Sequence, residues 1–513
     1  MSHQPAPGLF GGRTAAHALD IIVVGCGLGG LSAAYALARG GHKVTIVESA
    51  PAIAEVGAGI QVSPNVSRVL ESFGLSERLA RDAVEPEGIV FRSYKTGQLV
   101  GRTDWTAMTK LYGAPYYHVH RADLHTMLMD VTLPLVSLRL STWVKSYAGD
   151  GSILVSSNGA EETLKADLIV GADGVKSVLR GSVVGRADQA VPTGDAAYRA
   201  IVPASKLMEH PELREFVERP HMTGWMGPGR HVMGYCIRAK TEYNLVLLHP
   251  DDGSVESWTA EGSADKMRAD FAGWEPRVEK LLSFVPSTLK WKLMDRQPLE
   301  TWLHADGKLV LLGDSCHPML PYRAQGAAMA IEDGAVLGAL FARLQSPEQV
   351  LTLLKAYESL RHQRTAEVQA SSRLNQHIFH LPDGADQEER DAQMRETLKG
   401  VDYGVGLPPR TAGAPPKDAT AVAQDVLEHE GNPNQWADTR KSQTLFGYNA
   451  EKAAKEWLVE HGLETPAVFD ETEVEVADVD EDDEDIEEEL AKEAVVREVT
   501  NIVAPAEVVA LQA

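Results

Sequence analysis

A doubly wound α/β fold, carrying a β-rich insert and a C-terminal helical region, is what this sequence predicts, on three observations. The glycine turn Gly25-Cys26-Gly27-Leu28-Gly29-Gly30 lies between a short apolar strand over 20–24 and a helix over 31–39. The middle of the chain changes character, with strand-like runs over 196–202, 231–237 and 244–248 separated by Gly/Pro turns. The α/β pattern then returns as a strand over 308–312 and a long helix over 326–344.

Residues 1–19, with Pro5, Pro7 and three glycines, read as a flexible tail. The segments 20–24, 31–39 and 43–48 form a βαβ unit in about 30 residues. In that unit Gly25 permits the tight turn, Gly27 lets backbone N–H groups approach a pyrophosphate, and Gly30 lets helix and strand pack closely. The helix N-terminus adds partial positive charge. Glu48 closes the second strand, where an acid holds a ribose hydroxyl pair. This motif alone admits either NAD or FAD. Further along, 121–131 has helical spacing, and 152–156 and 167–170 read as strands. The segment 376–440 is rich in Pro, Gly, Asp and Gln and reads as irregular, while 443–461 is helical again. The domains expected are a nucleotide domain over 20–185, a substrate domain over 186–295, the second part of the nucleotide domain over 296–375, an irregular and helical region over 376–465, and an acidic tail over 466–513.

The formal net charge of −24 argues against nucleic acid or an anionic membrane as a partner. Much of it is local: fourteen of the twenty residues from Asp470 to Glu489 are acidic, which leaves about −10 elsewhere. So charged a run, without aromatics, supplies no core and is expected to stay disordered. Cys26, Cys236 and Cys316 are too sparse for a disulfide framework and read as small apolar fillers in a reducing compartment. No apolar run reaches 18 residues, and the N-terminus lacks a basic segment followed by an apolar one, so a cytoplasmic monomer or homodimer is expected. His317 has no partners at metal-ligand spacing, and there is no nucleophile-elbow motif, so neither a metal centre nor a serine hydrolase is expected.

Two later motifs decide between the dinucleotides. Ala166-Asp167-Leu168-Ile169-Val170-Gly171-Ala172-Asp173-Gly174 leaves a strand into a tight acidic turn. Leu311-Leu312-Gly313-Asp314-Ser315-Cys316-His317-Pro318 is followed by Gln325-Gly326 at the start of a helix. Asp314 can accept from a ribitol hydroxyl, and Gly326 leaves helix N–H groups free for an anion. Together with Arg121 at the head of a helix, these motifs make the chain resemble, from about residue 20 to 375, the single-component flavoprotein aromatic hydroxylases of the salicylate and hydroxybenzoate hydroxylase group. The resemblance implies FAD held by Glu48, Gly59, Arg121, Asp314 and Ala327, with the Asp173-Gly174 turn serving both FAD and NADH or NADPH. It implies hydroxylation of a phenolic aromatic acid by O2 through a flavin C4a-hydroperoxide, with or without loss of the carboxylate.

On the substrate side, His231 and Tyr235 lie four apart in a strand and so share one face. The resemblance implies that such a pair holds and deprotonates a phenol, and that Arg199 anchors an anionic substrate. Two departures stand out. Pro321 occupies a position where some 3-hydroxybenzoate hydroxylases carry glutamine, and Pro321-Tyr322-Arg323-Ala324-Gln325-Gly326 replaces a glycine-rich loop. Arg323 is then expected either beside the flavin or substrate carboxylate, or in solvent. The alternatives kept are a tailoring monooxygenase acting on a phenolic polyketide or alkaloid intermediate, and a non-catalytic carrier or escort with the same fold.

Overall fold

The computed structural model describes residues 9–53, 57–186, 188–253, 261–399 and 431–464. The predicted acidic tail lies outside the described residues, as do residues 1–8 of the predicted N-terminal tail. One compact unit ends at Glu464.

A five-stranded parallel sheet has the order Leu309–Leu311, Leu168–Gly171, Asp20–Val24, Lys43–Val47, Ser137–Arg139. Its central strand is buried from Ile21 to Val24, as a parallel strand must be when helices cover both faces. Helix Leu28–Arg39 follows the first strand and packs on helix Gly326–Phe341. The crossing is close because it is made of small residues: a side chain at Gly334 would meet the Ala33 nitrogen at 2.6 Å. The helix predicted over 31–39 starts three residues earlier, at Leu28, because the glycine turn itself begins the first helical turn.

An antiparallel-rich sheet of eight strands forms the second layer. Its centre is the run Thr288–Asp295, Val191–Pro203, Glu242–Pro250, Arg230–Ile237, His221–Gly227. It also takes in Gly88–Ser93 and Leu99–Asp104, from the segment read as nucleotide domain, with His221–Gly227 pairing parallel to the first of them. A two-stranded ladder of Gly59–Val62 and Tyr117–His120 joins the layers.

The 30-residue helix Val350–Phe379 was not anticipated: the sequence reading turns irregular at 376, yet the helix runs on to Phe379. It is held by buried charge. Arg361 donates to Glu332 at 2.5 Å and to Asp333 at 2.7 Å, with all three side chains fully buried, while Asp333 also binds His317 and the Gly313 nitrogen. Residues 13–19 are pinned rather than loose, with Ala15 donating to the Gly40 carbonyl and Ala16 to that of Leu344.

Glu464 is the last anchor, paired with Arg13 at 2.8 Å and Arg343 at 3.1 Å. Ending the chain after Glu464 is therefore expected to leave the thermal unfolding midpoint and turnover unchanged. A clear loss of either on removing 465–513 would show that the acidic segment supports the unit.

Candidate functional site

Between the two layers lies a cavity of about 790 Å³. Its wall includes Gly27, Gly30, Gly59, Arg121, Asp173, Gly174, Asp314, Gly326 and Ala327, together with Arg199, His231 and Tyr235. Residues read from motifs up to 300 positions apart thus meet in one place. Gly25 and Glu48 are not in the wall but build it.

Gly25 takes φ +106, and a side chain there would strike the Ala172 carbonyl carbon at 2.9 Å. A side chain at Gly30 would run into the backbone of Gly25. At Gly27 there is open space within 4 Å, on the cavity side. The turn is drawn in where it must pack and left empty where a pyrophosphate must pass. Glu48 clamps it, accepting from the Cys26 nitrogen at 2.9 Å and the Ala50 nitrogen at 2.8 Å. All three cysteines are free and buried, and burial with Glu48 nearby pushes the Cys26 thiol up to about 12.

Asp173 caps the helix Leu179–Val184, one carboxylate oxygen accepting from the Val178 and Leu179 nitrogens. Its other oxygen is buried without a hydrogen-bond partner, an acceptor aimed at a ligand. Burial holds the Asp314 carboxyl above its ordinary range in spite of His317, Arg121 and Arg180. Open glycine, a waiting acceptor and a half-buried acid beside Arg121 fit FAD.

Arg180 escaped the sequence reading. It is nearly fully buried and donates to the carbonyls of Val175, Ser315 and Asp314, at 3.0, 2.7 and 3.1 Å. It thereby ties the Asp173-Gly174 turn to the Gly313-Asp314 turn. The sequence offers only its place, six residues after Gly174, because its hydrogen-bond partners are backbone carbonyls.

Strand pairing sets the substrate end. His231, Met233 and Tyr235 pair with Leu248, Val246 and Asn244, and Val246 pairs in turn with Arg199. Cross-strand partners share a face, so His231, Tyr235 and Arg199 stand on one side of the sheet. Gly59 brings the nucleotide layer against them: its nitrogen donates to Asn244 at 2.7 Å, and a side chain there would meet the Tyr235 ring at 2.6 Å. Arg199 lies over the Trp291 ring at 4.4 Å, and burial pushes it down to about 10. Burial pushes Tyr235 up to about 12 although Arg199 and Gln61 oppose it. Burial and His380 hold His231 well below the ordinary range, so its imidazole is neutral.

Gln61, Phe379, Tyr322 and Trp436 complete the wall. Trp436 comes from the irregular Asn432–Trp436 stretch and stacks with Phe379 at 6.3 Å between centroids. Arg323 is not in solvent. It is 3 % exposed, its guanidinium sits 4.6 Å over the Trp436 ring, and Tyr322 and Ala324, not Arg323, face the cavity. Among the described residues no helix is long and apolar enough to cross a membrane, and no cluster of three or more metal-ligating groups occurs.

The chain matches the FAD binding domain family over residues 18–372. It is 38 % identical to the FAD-dependent monooxygenase OpS4 of Beauveria bassiana over 382 residues, 73 % of this chain and 89 % of that protein. It is 38 % identical to a 3-amino-4-hydroxybenzoate 2-monooxygenase of Streptomyces cremeus over 410 residues, 79 % of this chain and 98 % of that protein. Its fold is that of a salicylate hydroxylase solved with its substrate, with a TM-score of 0.62 at 24 % identity over 80 % of this chain and 99 % of that one. With the glycine cradle, the acidic turns and the eight-stranded second layer, these matches place the chain in the FAD-binding-domain family, as an FAD-dependent aromatic monooxygenase.

Proposed function

We propose that the protein hydroxylates a small phenolic acid of the salicylate or hydroxybenzoate kind, with NADH or NADPH as reductant and oxygen as the source of the inserted atom. The observation that carries this reading is the single sheet face that presents His231, Tyr235 and Arg199 to the cavity that also holds the flavin cradle. The name of the Streptomyces cremeus relative, a monooxygenase of an amino-hydroxybenzoate, supports the substrate class.

Bound FAD supplies hydride acceptance and oxygen transfer. The chain supplies position and charge. Arg199 offers a half-buried cation to a carboxylate, and its stack on Trp291 fixes the guanidinium plane. His231 and Tyr235 flank the place of the phenol oxygen, where taking up its proton raises electron density on the ring. Met222, Met233, Val246, Leu248 and Phe379 give the wall an apolar stretch beside His231 and Tyr235, against which an aromatic ring can pack.

His231→Ala is expected to keep its flavin and to lose about 10²–10⁴-fold in hydroxylation. Coenzyme oxidation should outrun product, and the deficit should shrink at high pH, where solvent removes the proton unaided. The measurement is product by mass spectrometry against coenzyme consumed, over a panel of phenolic acids. An unchanged ratio and rate would reduce His231 to core packing.

A further inference from the structure

His231 does not stand alone, and what stands behind it deepens the reading just given, on which this inference rests. Its Nδ1 lies 2.8 Å from Nε2 of His380, and His380 Nδ1 lies 3.5 Å from Oδ2 of Asp195. The three residues come from three places: strand Arg230–Ile237, the C-terminal cap of helix Val350–Phe379, and strand Val191–Pro203. All are withdrawn from solvent, with His231 2 % exposed and the side chains of His380 and Asp195 10 % exposed.

Two imidazole nitrogens at 2.8 Å share one hydrogen, so one donates and the other accepts. Asp195 decides which. A carboxylate only accepts, and Asp195 already takes the Tyr322 hydroxyl and, at 2.6 Å, the Gln376 amide. Facing Nδ1 of His380, it favours the hydrogen there. Nε2 of His380 is then a lone pair and receives Nδ1–H of His231. The remaining nitrogen, Nε2 of His231, is left bare, has no hydrogen bond among the described residues, and belongs to a side chain in the cavity wall.

We propose that His231, His380 and Asp195 form a proton relay out of the substrate cavity, with His380 and Asp195 as positioning residues that set the tautomer of His231 and take over its proton. The phenol O–H breaks and Nε2–H forms on His231. Nδ1–H of His231 passes to Nε2 of His380, and Nδ1–H of His380 passes to the Asp195 carboxylate once that pair closes from 3.5 Å to hydrogen-bond distance. Both imidazoles end neutral with their tautomers inverted. One negative charge has moved from Asp195 to the substrate oxygen.

The surroundings suit passage rather than storage. Burial holds His380 down to about 4 in spite of Asp195, and His231 lower than its ordinary range, so neither ring keeps the proton as imidazolium. The groups packed on the relay are the Tyr322 and Phe379 rings, 5.4 and 5.2 Å from that of His231, and the Gln376 amide. Arg373, one turn before Gln376 on the helix, is bound by Asp295 at 2.6 Å.

The test uses the holoenzyme and a chromogenic phenolic acid, 4-hydroxy-3-nitrobenzoate, whose phenolate absorbs in the visible. Its ionisation in the bound state is followed by difference absorbance against pH. Asp195→Asn keeps an amide oxygen for Tyr322, Gln376 and His380 but cannot take up a proton, so the relay has no end acceptor. Bound phenol should then ionise about one pH unit higher or more than in the parent, with flavin content unchanged and Asp195→Glu restoring part of the shift. His380→Phe should give the same shift, and is read alone if Asp195→Asn does not fold. An ionisation unmoved in either variant, but moved by His231→Ala, overturns the relay and spares the reading of His231. A probe that fails to bind, or whose ionisation ignores His231→Ala, overturns the phenolic-acid reading itself.

Discussion

Arg361→Met is expected to cost about 3–5 kcal/mol, the price of leaving buried carboxylates without their cation. Arg361 is fully buried between Glu332 and Asp333, which are fully buried too. Burial alone would raise both carboxyls, but Arg364 and Arg361 at Glu332, and His317 and Arg361 at Asp333, hold them below their ordinary range. Folded carboxyls below their unfolded values stabilise above the unfolded carboxylate pKa, and that stability is lost as pH falls through the folded values. The variant should therefore melt well below the parent at neutral pH and show a weaker decline on acidification. Arg361→Lys keeps the charge but loses the fork that reaches both acids, and should fall between. A parental midpoint in Arg361→Met, by thermal unfolding at pH 7, would show that the two helices do not depend on this cluster.

Two glycines three positions apart should fail in opposite ways. Gly27→Val should fold and melt as apoprotein but carry almost no flavin, because its side chain enters open space on the cavity side. Gly30→Ala should lose fold and flavin together, because its methyl group meets the backbone of Gly25. Flavin per chain, read by absorbance beside circular dichroism, separates them. Stoichiometric flavin in Gly27→Val would mean the pyrophosphate runs elsewhere.

The flavin half was legible because its chemistry is local. Turn glycines, a capping acid and helix starts each sit within a few residues of one another, so Gly25, Asp173 and Asp314 announce themselves. Even there Arg180 was overlooked, because its partners are backbone carbonyls, which no side-chain pattern reveals. Half of the substrate end was legible too, because the period of two in a strand puts His231 and Tyr235 on one face. His380, Asp195 and Trp436 were not, since they lie about 150, 36 and 205 residues from His231 and meet it only through strand register and a helix that outlasts its apolar pattern. Arg323 shows the same limit: its loop left open a place beside the flavin or substrate carboxylate or one in solvent, and the structure instead buries it over Trp436 from the far end of the chain.

Trp436 also sets an order of events during synthesis. The glycine turn, Arg121, the Asp173 turn and Asp314 have all been added to the chain by the time it has grown to about residue 330. His380 and Trp436 follow some 50 and 100 residues later, which at about 5–20 residues per second is a delay of seconds. A nascent chain can thus own a complete flavin cradle while its substrate chamber still lacks a wall. Synthesis of the stretch from about 330 to 436, rather than loading of the cofactor, is what adds a substrate wall to a flavin binder.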